Sequence, residues 1–76
     1  MYQYQRLRDM REDRDKTQRH IADLLHTTQQ QYAKYEQGIQ EIPVHHLIKL
    51  ADYYGVSTDY LVGRISTEEE FARHKK

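Results

Sequence analysis

The chain has 76 residues, 12 of them basic and 12 acidic, for a net charge of zero, and no cysteine. That length fits one small domain, the lack of cysteine excludes disulfide staples and thiolate zinc ligation, and the neutral balance excludes nucleic-acid binding driven by bulk charge. No apolar run approaches the roughly 20 residues that cross a bilayer, and the polar start MYQYQRLRDMRED lacks a signal-peptide pattern, so a soluble cytoplasmic protein is expected.

Tyr4, Leu7, Met10 and Arg11 follow three-four spacing and predict a first helix from about Gln3 to Asp13, broken by Arg14–Lys16. Thr17 offers an N-cap hydroxyl to a second helix over 18–26, with Ile21, Leu24 and Leu25 as its stripe and Ala22 small enough for close helix approach. A turn of a few residues leads to a third helix over 28–37, which ends at Gly38. Tyr32, Tyr35 and Glu36 share its inner face. Pro43 suits the first turn of a fourth helix, whose stripe is Val44, Leu47, Ile48, Ala51 and Tyr54, with Gly55 as its stop. Ser57 caps a short fifth helix holding Tyr60, Leu61 and Val62. The tail, residues 65–76, is a marginal helix or a disordered end with a capping box from Thr67 to Glu70 and one aromatic, Phe71.

The expectation is an all-α domain of five short helices over residues 1–64, whose second and third helices have the helix-turn-helix outline. The elements LRDMRE, TQRHIADLL, YAKYEQG, IP, LIKLADYYGVS and DYLVGR occur in this order over about residues 6–64. As a set they resemble the XRE family, the Cro and C1 repressor type of helix-turn-helix, and most closely its small regulators from Gram-positive bacteria and their phages. The resemblance implies a compact lambda-repressor-like DNA-binding domain with its third helix in the major groove. It implies that Gln18 binds a phosphate and braces Gln29, that Gln29, Gln30 and Lys34 read bases, and that Arg11 and Glu36 form a partly buried ion pair.

The residues support that reading on their own. In a helix starting after Thr28, residues 29, 30, 33, 34 and 37 share one face. A glutamine amide pairs bidentately with adenine N6 and N7. Ala33 permits close approach and contact with a thymine methyl, and Lys34 reaches guanine acceptors or a phosphate. Gln31 has capping-box spacing from Thr28, so its amide is expected to fold back on the helix start. Lys16, Thr17, Gln18, Arg19, Thr28 and Gln40 are the candidate phosphate contacts, together with backbone N–H groups of the Gly38–Gln40 loop.

Three positions depart from the family pattern. His26 stands where glycine is common and must tolerate the backbone of the turn; Thr27 replaces an apolar residue; His20 replaces an acidic one. Five histidines raise the question of a metal, but His45 and His46 are adjacent and expected to diverge on a helix, and His20 and His26 are six apart. No nucleophile-base signature or phosphate loop is present, so neither catalysis nor a cofactor is expected. The reading is therefore a sequence-specific transcriptional regulator, a repressor acting as a homodimer on an inverted repeat of double-stranded DNA, with no small-molecule ligand and no membrane partner. Tyr60, Val62 and Phe71 are its expected self-association surface. The alternative is a protein-interaction module of the same fold, an antitoxin or antirepressor.

Overall fold

A computed structural model describes residues 4–74. Six helices follow in order: α1 (Gln5–Asp13), α2 (Gln18–Leu24), α3 (Gln29–Glu36), α4 (Val44–Tyr54), α5 (Thr58–Leu61) and α6 (Thr67–His74). Among the described residues there is no strand, and no helix is long and apolar enough to cross a membrane. The first five are the helices the sequence predicts; Gln3, the expected start of the first, lies outside the described residues.

Local chemistry starts α2, α3 and α5 and stops α1 to α5. The Thr17, Thr28 and Ser57 hydroxyl oxygens accept from the backbone N–H groups of His20, Gln31 and Tyr60, so each N-cap hydroxyl satisfies one orphan donor of its helix. The stops share one geometry, a left-handed residue flanked by two reversed hydrogen bonds. After α3, Gly38 at φ 76° lets its N–H reach the Tyr35 carbonyl and the Ile39 N–H reach that of Lys34. Asp15 and His26 play the same part after α1 and α2 at φ 55° and 57°, where a side chain is strained. The positive φ anticipated as a danger at His26 is therefore present. His26→Gly is expected to raise stability by about 0.5–1 kcal/mol, the relief of left-handed strain less the extra entropy of glycine. A lower thermal midpoint for that variant would contradict this account of the turn.

One core joins five helices. Leu7, Ile21, Ala22, Leu25, Tyr32, Tyr35, Ile42, Leu50, Ala51, Tyr54 and Leu61 are buried together. Ala22 is buried, and its helix α2 packs on α3. In α4 the predicted stripe needs correction: Val44 and Ile48 are exposed, and Leu50 is fully buried. Helix placement rather than local periodicity selects Leu47, Leu50, Ala51 and Tyr54 as the inner row. Pro43 is the N-cap of α4, one position before the expected first turn, and its carbonyl accepts from His46 and Leu47.

Residues Thr67–His74 form a helix docked on α5. Its capping box is one residue earlier than expected: Ser66 Oγ accepts from Glu69 N–H, and the Glu69 carboxylate accepts from Ser66 N–H. That register frees Glu70 to turn inward. Its carboxylate is buried and accepts both the N–H and the Oγ–H of Ser57, at 2.8 and 2.6 Å. Phe71 points outward instead. On the α1 side, Arg6 lies over the Tyr60 ring and donates to the Tyr60 and Ile65 carbonyls, tying the α5–α6 corner to the start of the chain.

Candidate nucleic-acid interface

The site begins with the two faces of α3. Tyr32 and Tyr35 are buried, while Gln29, Gln30, Lys34 and Gln37 are exposed and Ala33 is half-buried among them. The 3.6-residue period separates the rows cleanly, so burial of the tyrosines sets the rotation of the whole helix. The outer face carries amides, a methyl and one ammonium.

An ion-pair network fixes α3 against its neighbours. Arg11 of α1 donates from Nε to Glu36 Oε2 at 2.7 Å and from Nη2 to Oε1 at 3.2 Å, a bidentate pair. The Arg11 side chain is 13% exposed and that of Glu36 only 3%. Arg11 also donates from Nη1 to the Lys16 carbonyl at 2.9 Å, which holds the α1–α2 turn in place. Gln18, the first residue of α2, donates from Nε2 to Glu36 Oε1 at 3.1 Å. One carboxylate thus gathers α1, α2 and α3. The expected ion pair is present, but the amide group expected to brace Gln29 is engaged with Glu36 instead. A buried carboxylate with two close donors outcompetes an exposed neutral amide for the Gln18 donor.

Burial alone would raise the Glu36 carboxyl, but the hydrogen bonds led by Arg11 outweigh it and hold it below the ordinary 4.5. The same bond raises the Arg11 guanidinium against its own desolvation. Burial, reinforced by the Glu36 charge, raises Tyr32 and pushes Tyr54 up to about 12. Among the described residues neither of these enclosed hydroxyls has a hydrogen-bond partner of good geometry.

His45 and His46 do not diverge. Their ring centroids lie 4.2 Å apart over the first turn of α4, where no preceding turn restricts the rotamers. The His46 ring also meets Tyr35 of α3 at 6.0 Å. Among the described residues no group of three His, Cys, Asp or Glu is placed to hold a metal ion. Partial burial, then the charges of His45 and Lys49, lower His46 below the ordinary 6.5. Depressed groups bind fewer protons folded than unfolded, so stability falls on acidification. The unfolding midpoint in urea is expected to hold above pH 6.5 and to decline below it through His46, then more steeply below 4.5 through Glu36. A midpoint that rises on acidification contradicts the assignment.

The phosphate candidates divide by availability. Lys16 and Gln18 are half-buried at the α1–α2 turn, while Thr17, Arg19, Thr28 and Gln40 are exposed. Thr17 and Thr28 use their oxygens to cap helices, which leaves each hydroxyl proton free to donate. The loop amides are partly engaged within the fold. The N–H groups of Gly38 and Ile39 already donate to the Tyr35 and Lys34 carbonyls at 3.1 and 3.0 Å, whereas that of Gln40 is held only at 3.4 Å, to the same Lys34 carbonyl. Gln31 is a correction. Thr28 accepts from its N–H, completing half of the expected box, but its side-chain amide donates to Gln40 Oε1 in the following loop. The loop returns alongside α3 after the Gly38 reversal, and sequence spacing around Thr28 carries no trace of that neighbour.

A tight α2–α3 pair held by a conformational stop, with a polar outer face on α3 and an inward carboxylate binding α1, defines a helix-turn-helix domain. The chain belongs to the Cro/C1 (XRE) helix-turn-helix family, whose helix-turn-helix profile matches residues 7–61. It is 41% identical over 58 residues to the SPbeta prophage-derived uncharacterized HTH-type transcriptional regulator YonR of Bacillus subtilis, covering 76% of this chain and 54% of that protein. It is 37% identical over 65 residues to the cryptic phage CTXphi transcriptional repressor RstR of Vibrio cholerae, covering 86% and 58%. The HTH-type transcriptional regulator ImmR of B. subtilis is 34% identical over 59 residues, covering 78% and 46%. The chain therefore spans about half the length of the curated relatives it matches. A crystal structure of a transcriptional regulator from Listeria innocua superposes with a TM-score of 0.78 at 28% identity, covering 83% of this chain and 59% of that one.

Proposed function

We propose that this chain is the sequence-specific DNA-binding unit of a transcriptional repressor, with α3 in the major groove. The observation that carries the reading is the division of α3. Tyr32, Tyr35 and Glu36 are locked inward, so Gln29, Gln30, Ala33 and Lys34 form a base-reading surface whose orientation the core dictates. Lys16, Thr17, Gln18, Arg19, Thr28 and Gln40 serve as phosphate contacts that set register. The names of the relatives, a phage repressor among them, support the same class of function.

A single neutral module gains little from electrostatics, so affinity calls for two linked modules. The expected assembly is a homodimer on an inverted repeat with half-sites ~34 Å apart. The residues suited to self-association remain Tyr60, Val62 and the exposed Phe71, on the α5–α6 side.

Zero net charge favours one rival, a module of the same fold that masks a protein partner. Salt separates the two. Binding to duplex DNA is expected to weaken with a log–log slope of ~0.9 per neutralised phosphate. Arg19→Ala, at a proposed phosphate contact, should reduce that slope by about one such step per bound half-site. A protein that leaves duplex DNA unbound at low salt, yet captures a protein partner, supports the rival reading.

A further inference from the structure

We infer that Gln31 is a positioning residue, which holds the side chain of Gln40 so that its amide nitrogen contacts the DNA backbone beside the reading face of α3. The inference rests on the proposed DNA-binding reading. Three adjacent glutamines open α3, and they differ in surroundings: Gln29 and Gln30 are exposed, whereas Gln31 is half-buried. The Gln31 Nε2 donates to Gln40 Oε1, nine residues along the chain.

Two facts give this pair its direction. First, the Gly38 and Ile39 N–H groups close the end of α3 at 3.1 and 3.0 Å, and the Gln40 N–H points at the same Lys34 carbonyl from 3.4 Å, so the loop's first backbone donors face α3. The exposed Gln40 side chain is the donor at this position that faces away from α3. Second, a primary amide whose oxygen is gripped has its nitrogen turned the other way, with both hydrogens free. Gln40 is exposed, and its backbone N–H joins Ile39 in donating to the Lys34 carbonyl, so the loop is anchored to a residue of the reading face. A free Gln40 side chain would sample many rotamers; one held by Gln31 meets a phosphate oxygen with less entropy lost on binding. Such a contact is sequence-neutral, because phosphates are the same at every base pair.

The test is a double-mutant cycle in DNA affinity. Wild type, Gln31→Ala, Gln40→Ala and the double variant are titrated against a selected duplex and a random duplex over a range of salt. Gln40→Ala is expected to weaken binding to both duplexes about fivefold per half-site, the loss of one hydrogen bond from each protomer. Its salt slope should stay unchanged, since a neutral amide releases no counterion. Gln31→Ala should weaken binding in the same uniform way but less, and the double variant should be no weaker than Gln40→Ala alone. Ethylation interference should lose the same phosphate of each half-site in each variant. Thermal midpoints near that of wild type for all four proteins keep the result free of folding. Additive losses, a shift in base preference, or an unchanged affinity for Gln40→Ala each overturn the positioning role while leaving the DNA-binding reading intact. Absence of DNA binding by the wild type overturns both.

Discussion

Glu36→Ala is expected to lower the unfolding free energy by about 3 kcal/mol, measured by urea denaturation with helical circular dichroism as the signal. The Glu36 side chain is 3% exposed and receives three donors, two from Arg11 and one from Gln18. Removing it strands a guanidinium that is itself 13% exposed and retains the Lys16 carbonyl as an outlet. That outlet places the expected loss at the lower end of the range for a broken buried pair. In a domain whose total stability is expected at roughly 5–15 kcal/mol, this is a large share. The exposed pair of Arg8 and Glu12 is the internal control, with side chains 60% and 52% exposed. Glu12→Ala should cost well under ~1 kcal/mol. If Glu36→Ala unfolds at the same urea concentration as Glu12→Ala, Glu36 does not join α1, α2 and α3 energetically.

The second large effect is on recognition. Gln29→Ala is expected to abolish preference at one or two base pairs, a loss of ~1–3 kcal/mol in discrimination. Gln29 is the first residue of α3 and fully on the outer face, so its replacement should change stability by less than ~0.5 kcal/mol. That separation is what makes the test sharp: Glu36→Ala should act on folding, Gln29→Ala on choice of sequence. Competition between a selected duplex and its single-base variants reads the effect. Equal discrimination by wild type and Gln29→Ala would remove Gln29 from the reading surface.

Residues whose roles are local were legible in the sequence. Thr17, Thr28 and Ser57 precede apolar rows as caps, and Gly38 and Gly55 follow them as stops. The inward tyrosines of α3 follow from period alone. Residues whose roles depend on a neighbour from elsewhere in the chain were not legible. The α4 segment VHHLIKLADYY carries overlapping apolar rows, and only packing against α5 and the rest of the core decides that Leu50 is inside and Ile48 outside. Gln18 turns to Glu36 and Gln31 to Gln40 because folding brings those groups close. Spacing makes Glu70 the capping-box partner of Thr67, yet the helix register set by Ser66 turns it into the interior against Ser57. Asp15 gave no signal as a left-handed stop, since glycine is the usual residue there.

On the proposed reading, the outer face of α3 meets base edges twice, across a two-fold axis. Selection of bound sites from a pool of random duplexes tests it most directly, run in parallel with wild type and Gln29→Ala. The expected result is an inverted repeat with half-site centres about one helical turn apart, and loss of information at one or two symmetric positions in the variant. An enriched set with no common sequence, or the same motif at full strength from both proteins, would contradict it.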